Sequence, residues 1–134
     1  PTLVTESQAH MATVSPDGSR VALHVRNPES NSWQTAIFPV DGRPADRWLD
    51  VHSETHSPWA DDGALYISRS TDGVANVYRL DIEDESLEQV TFFTDGQIFS
   101  FDVSPDLSRL AIGRGEVLND LLLIEGVFGA SREE

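Results

Sequence analysis

The chain of 134 residues contains no Cys and no Lys, and it has no apolar run of the length that crosses a membrane. The absence of Cys excludes disulfides, thiolate metal sites and cysteine nucleophiles, but it leaves the compartment open because many exported proteins also lack Cys. A membrane-spanning helix needs about 18 or more consecutive apolar residues, so we expect no membrane insertion. The chain begins with Pro1 instead of Met, which indicates a processed or excised piece.

Positive charge is scarce throughout the sequence. Nine Arg residues stand against 23 Asp and Glu residues, which gives a formal net charge of −14. A surface of this charge repels the phosphate backbone of nucleic acids, so we expect no nucleic-acid binding. We interpret most of the negative charge as a solvated surface, with cationic ligands or divalent ions as the alternative.

The sequence also lacks the periodicity of helices. No window of 11 or more residues sustains a period of 3.6, whereas apolar and polar residues alternate in short stretches bounded by turn residues. The second stretch of each repeat described below carries apolar or small residues on both faces, which indicates a sheet covered on both sides. These patterns predict an all-β chain.

One motif occurs three times and organises the chain. Ser15-Pro16-Asp17-Gly18 stands before the alternating stretch Val21 to Val25, and copies begin at Ala60 and Ser104. The copies lie 45 and 44 residues apart, a period typical of stacked repeats. Each copy predicts a turn between two strands.

The turns carry specific expectations. Gly18 and Gly63 are predicted to have positive φ, and Leu107, at the equivalent position of the third copy, is predicted to use a different turn type. A carboxylate in each turn is predicted to accept hydrogen bonds from that turn; the three residues are Asp17, Asp62 and Asp106.

Each repeat contains up to four predicted strands. The repeats span about residues 8–51, 52–91 and 92–126, and the third shows no fourth strand before the charged end of the chain. Residues 1–7 are predicted to supply an out-of-phase outer strand, formed by Leu3, Val4 and Thr5. Antiparallel sheets of four strands that stack with a period of about 40 to 45 residues are typical of β-propeller blades.

The motif and the strand that follows it resemble the repeat of TolB-type six-bladed propellers, in which Trp-Ser-Pro-Asp-Gly precedes a Lys/Arg-Ile-Ala-Phe strand. Val14 and Val103 stand where that family often has Trp. The segment 97–124 is similar to the last blade of propellers attached to bacterial serine/threonine kinases and winged-helix regulators. The resemblance implies three blades, about half of a six-bladed propeller. It is compatible with a location in the bacterial cytoplasm or in the periplasm.

Ligand-binding candidates follow from strand direction. In an up-and-down blade, the link into the first strand and the loop between the second and third strands emerge at the same end, which commonly carries ligands in propellers of this kind. His10, His56 and Phe99 are therefore predicted to lie near the mouth of the channel, with ordinary packing as the alternative.

Metal and cofactor sites are not predicted. His52 and His56 are four residues apart, but in an extended chain this separation is about 13 Å, too far for one ion. The acidic segment Asp81 to Glu85 lacks the ligand spacing of a calcium loop and is interpreted as a solvated tip.

The sequence contains no nucleophile elbow, phosphate loop or His-Glu-x-x-His motif, so we do not expect an enzyme. The leading hypothesis is a binding or scaffolding module that recognises a protein or small ligand, as part of a bacterial sensor or regulator. The alternative is the propeller that gates a prolyl-oligopeptidase-like serine peptidase.

A homodimer is the further expectation from the repeat number. Two copies would supply six blades, and Leu3, Val4 and Thr5 of one copy would pair beside the predicted last strand of the other, at Leu121 and Leu123.

Overall fold

A computed structural model describes residues 3–51, 53, 55–61 and 63–117. These residues form ten strands in three antiparallel sheets and contain no helix. Sheet 1 consists of β1 (Ala9–Val14), β2 (Arg20–Arg26), β3 (Trp33–Pro39) and β4 (Arg47–Leu49). Sheet 2 consists of β5 (Trp59–Asp61), β6 (Ala64–Thr71), β7 (Val74–Asp81) and β8 (Leu87–Gln89). Sheet 3 consists of β9 (Gln97–Val103) and β10 (Leu110–Gly115).

Sheets 1 and 2 have the same strand order, in which each strand pairs with its neighbours in sequence. Within sheet 3 the described strands β9 and β10 pair in the same way, with Val103 opposite Leu110. The prediction of an all-β chain built of antiparallel sheets is therefore confirmed. The alternating stretch Val21 to Val25 lies within β2, as expected where turn residues limit short strands.

The first core lies between sheets 1 and 2. Ala22, Ile37 and Leu49 of sheet 1 pack against Leu65 and Ile67 of sheet 2 and their buried neighbours. Ala22 and Ile37 are directly opposite in β2 and β3, so their side chains leave the same face of sheet 1. The apolar residues at alternate positions explain why this face is covered.

The second core lies between sheets 2 and 3. Ala75 and Val77 on β7 pack against Ile98 and Phe101 on β9. Sheet 2 is thus covered on both faces, as expected for the second strands of the repeats. In sheet 3 the expectation is wrong, because Ala111 on the second strand is exposed and no further described sheet packs on that face. The three sheets stack in chain order, as required when each repeat cannot bury both of its faces alone.

Polar side chains fix the link that enters sheet 3. Asn76 on β7 is buried, its Oδ1 accepts from the Phe93 backbone N–H at 2.7 Å, and its Nδ2 donates to the Phe93 carbonyl at 3.2 Å. Thr91 Oγ1 also donates to Asn76 Oδ1, at 3.0 Å. A buried amide satisfied on both sides holds the link against sheet 2, because breaking either bond would leave a polar group unpaired.

The acidic turn between β7 and β8 contacts sheet 1. Glu83 forms an ion pair with Arg47 on β4, and the Glu85 carboxylate accepts from the Asp50 backbone N–H at 3.3 Å. The Glu83 side chain is 71% exposed, so the turn is a surface tip, as interpreted from the sequence, but its carboxylates also join neighbouring sheets. Exposed pairs of this kind contribute about 1 kcal/mol or less.

Two of the turn predictions are wrong. Gly18 has the predicted positive φ, 74°, but Gly63 does not have a left-handed backbone. The connection in sheet 2 is shorter, since Asp61 pairs directly with Ala64, whereas six residues lie between the paired Val14 and Val21 of sheet 1. The Gly63 N–H donates to Asp61 Oδ1 at 2.8 Å; Asp62 lies outside the described residues.

Leu107 uses the same turn as Gly18, contrary to the prediction. The Leu107 N–H donates to the Ser104 carbonyl at 2.7 Å, and the Gly18 N–H donates to the Ser15 carbonyl at 2.9 Å. The φ of Leu107 is 57°, a strained value for a residue with a Cβ. The hydrogen bonds of the turn therefore outweigh the preference of leucine for negative φ.

The segment from Leu3 to Thr5 forms no strand, contrary to the prediction of an outer strand. Val4 instead packs on the face of sheet 1 opposite to sheet 2, against Leu23, Val25 and their buried neighbours Ala36 and Phe38. The Val4 side chain makes this apolar contact without any backbone pairing to sheet 1, so the segment does not need to be a strand. Leu121 and Leu123 lie outside the described residues, so strand exchange and the homodimer stay predictions.

We predict that removing glycine at position 18 and introducing it at position 107 change the free energy of unfolding in opposite directions. Gly18→Ala should lower the free energy of unfolding by about 1 kcal/mol, because a Cβ at positive φ is unfavourable. No atom lies within 4 Å of the added Cβ, so the cost is conformational. Leu107→Gly should raise the free energy of unfolding by a few tenths to about 1 kcal/mol. Urea denaturation measures both.

Gly63→Ala is the matched control. The added Cβ would meet Asp61 Oδ1 at 3.5 Å, an ordinary contact, and the backbone is not left-handed. We expect no loss of stability in this variant. A loss equal to that of Gly18→Ala, or a Leu107→Gly variant that is clearly less stable than the parent, would contradict the assignment of the turns.

Candidate functional site

The first strands of the three sheets surround a cleft of about 720 Å³. Residues at equivalent positions of the three repeats line this cleft. The position just before the turn motif is occupied by Val14, Trp59 and Val103. The second position of the motif is occupied by Pro16, Asp61 and Pro105, and all six residues line the cleft. The cleft therefore lies where stacking brings together residues about 45 positions apart. Its volume is in the range of small-ligand sites.

Trp59 joins two sheets at the wall of this cleft. Its Nε1–H donates to the Thr13 carbonyl at 3.1 Å, and Thr13 Oγ1 donates to the Ser57 carbonyl at 3.0 Å. The indole is only 6% exposed, and the Arg20 guanidinium lies 5.4 Å from its ring centroid. A buried indole with its N–H satisfied forms a rigid apolar surface.

Two turns beside the cleft are held by hydrogen bonds to aspartate. The Ser15 hydroxyl donates to Asp17 Oδ1 at 2.6 Å, and the Ser19 N–H donates to the same oxygen at 2.9 Å. Ser104, Asp106 and Ser108 repeat this arrangement. The serine hydroxyl, followed by further bonds from the turn, lowers the pKa of both Asp17 and Asp106 to about 2. The expectation that aspartate caps these two turns is confirmed.

Two carboxylates line the cleft. Asp61 Oδ2 forms an ion pair with Arg79 at 2.7 Å, and the Arg79 hydrogen bond, followed by the Gly63 N–H, lowers the pKa of Asp61. Asp102, on β9, accepts from the Val103 backbone N–H at 2.8 Å. Among the described residues no Arg side chain forms an ion pair with Asp102, and none lines the cleft. The cleft wall is apolar and bears negative charge.

The structure does not bring the three predicted ligand-binding residues to one site. His56 lines the cleft. The His10 ring packs against the rings of His24 and Trp33, with centroids 4.6 and 4.7 Å away. Phe99 is 54% exposed and lies beside Gly115. His10 and Phe99 do not line the cleft, because the cleft lies beside the first turns of the repeats and not at the loop end chosen from strand direction.

The sequence contained a signal for the residues that were missed. Val14, Trp59 and Val103 occupy the same position before the three turn motifs. Equivalent positions of stacked repeats face the same axis, so an apolar residue at this position in every copy indicates an apolar central wall.

No group of three or more His, Asp or Glu side chains in the described part of the chain could hold a metal ion. The same part contains no helix that is long and apolar enough to cross a membrane. Comparisons of the chain with protein-family models, curated proteins and solved structures found no match.

We predict that the two capped turns contribute to acid stability. Unfolded Asp has a pKa of about 3.9, and the folded values for Asp17 and Asp106 are about 2. The ionised carboxylates therefore favour folding above about pH 4, and this contribution is lost as the pH falls from about 4 through about 2. The double variant Asp17→Asn, Asp106→Asn should show a smaller loss of stability over this window, measured as the change in urea midpoint.

Glu29→Gln is the control for the removal of a carboxylate. Glu29 is exposed in the loop between β2 and β3, and its carboxylate accepts no hydrogen bond from any other described residue. The pH dependence of the urea midpoint in Glu29→Gln should match that of the parent chain. Equal pH dependence in the double variant and the parent would contradict the role assigned to the turns.

Proposed function

We propose that this chain is a segment of a TolB-like β-propeller and that it works as a binding module. Three stacked sheets with first strands around a common cleft support the propeller, together with the recurring turn motif. Val4 covers the outer face of sheet 1, where the preceding sheet of a propeller would lie. The resemblance to propellers of bacterial kinases and regulators supports a role in a sensor or regulator.

The observation that carries the proposal is the lining of the cleft by equivalent residues. Val14, Trp59 and Val103 present apolar surface from all three sheets to one space of about 720 Å³. Apolar clefts of this volume with a few polar groups are typical binding sites.

Binding is favoured over catalysis by the state of the hydroxyls that line the cleft. Ser104 Oγ donates to Asp106 within the turn, and Thr13 Oγ1 donates to the Ser57 carbonyl. Neither hydroxyl donates to His56, which also lines the cleft. A nucleophile hydrogen-bonded to a base is the arrangement that acyl transfer requires, and these contacts do not supply it.

The experiment is selection from a library of random linear peptides displayed on phage, with the intact chain as bait. We expect enriched peptides that bind the parent chain and fail to bind Val14→Arg, because a long charged side chain would replace part of the apolar wall and occupy space in the cleft. Val14 is 60% exposed, so the substitution should leave the fold intact, which circular dichroism and urea denaturation would check.

Val40→Arg is the matched control. Val40 is 40% exposed and does not line the cleft, so this variant should retain binding. An enriched pool that binds Val14→Arg as well as the parent chain, or the absence of any enrichment, would overturn the proposal that the cleft is a peptide-binding site.

A further inference from the structure

We propose that the ligand of the cleft is an extended peptide segment that combines apolar side chains with Lys or Arg, and that Asp102 pairs with its cation. This inference rests on the proposed binding function and names its ligand class. It assigns Asp102 as a specificity-determining residue.

The apolar requirement follows from the walls. Trp59, Val103 and Pro105 line the cleft from sheets 2 and 3, and Val14 and Pro16 line it from sheet 1. Transfer of apolar surface from water contributes about 25 cal/mol per Å² buried. A fully polar ligand would gain little from these residues.

The cation requirement follows from the distribution of charge. Among the described residues, Asp61 and Asp102 are the carboxylates that line the cleft, and Asp61 is already paired with Arg79. Asp102 has no such ion pair within the described residues, and its Oδ1 accepts from the adjacent Val103 backbone N–H. Its other oxygen is therefore the available acceptor for a ligand ammonium or guanidinium group.

The charge of the whole chain acts in the same direction. A net charge of −14 attracts cationic ligands and repels anionic ones before contact, and salt weakens this attraction. Acidic peptides and nucleic acids are consequently poor candidates for the cleft.

The peptide backbone is favoured by the strand edges. β9 pairs only with β10 among the described strands, and β1 and β5 each pair with one strand. The opposite edge of each strand carries backbone N–H and C=O groups without a strand partner, and an extended peptide can pair with such an edge. A small protonated amine could donate to the carbonyls but could not accept from the N–H groups.

The test repeats the peptide selection with three baits: the parent chain, Asp102→Asn and Glu29→Gln. The pool selected on the parent chain, after removal of clones that also bind Val14→Arg, should contain more Lys and Arg than the input library. Asp102→Asn should lose this enrichment while still selecting apolar peptides. Glu29→Gln makes the same change of net charge outside the cleft and should select the same pool as the parent.

One selected peptide is then titrated by fluorescence anisotropy, alongside a copy in which its Lys and Arg are replaced by Gln. We expect the parent chain to bind the basic peptide about five- to tenfold more tightly than the copy at low salt. In Asp102→Asn most of this preference should be lost, apart from the salt-sensitive part that the net charge of the chain supplies, with the affinity for the Gln copy unchanged.

The outcomes separate the two proposals. A pool that depends on Val14 but is not enriched in Lys or Arg would overturn the ligand class and leave the binding function in place. Equal loss of preference in Glu29→Gln and Asp102→Asn would overturn the role of Asp102, because it would show an effect of net charge alone. Failure to select any peptide that depends on Val14 would overturn the proposal that the cleft is a peptide-binding site, together with the ligand class inferred here.

Discussion

The burial of sheet 2 on both faces is the constraint on which the rest of the structure depends. Leu65, Ile67 and Leu80 are fully buried on the side of sheet 1, and Val77 is fully buried on the side of sheet 3. Because successive side chains of a strand point to opposite faces, both cores are fixed by one sheet. The spacing and order of the three sheets follow from that packing, and so does the convergence of their first strands.

The turn motif shows how hydrogen bonding overrides a local preference. Asp17 and Asp106 each accept from a serine hydroxyl and from a backbone N–H two residues later. These bonds fix the same path for the chain in sheets 1 and 3, although one turn has Gly18 and the other Leu107. In sheet 2, the shorter connection with Asp61 opposite Ala64 removes the need for a left-handed residue.

Both the stacking of the sheets and the turns of the repeats contribute to the cleft. Its position is a consequence of sheet stacking, and one end of it is formed by turn residues such as Pro16 and Pro105. Trp59 ties sheets 1 and 2 together through the Thr13 carbonyl and also forms part of the wall. A wall held in this way does not have to reorganise when a ligand binds, which lowers the cost of binding.

The sequence by itself determined the all-β class, the three turn positions, the alternation that covers both faces of sheet 2, and the net charge, because each depends on local residue patterns. His56 was the one predicted ligand-binding residue that lies at the cleft. Tertiary structure decided the rest. Val14, Trp59 and Val103 line one cleft only because the sheets stack. The His10 ring packs against the rings of His24 and Trp33. Leu3 to Thr5 form no strand and only Val4 of this segment packs on the apolar face of sheet 1, since strand pairing requires a partner edge that local sequence does not specify.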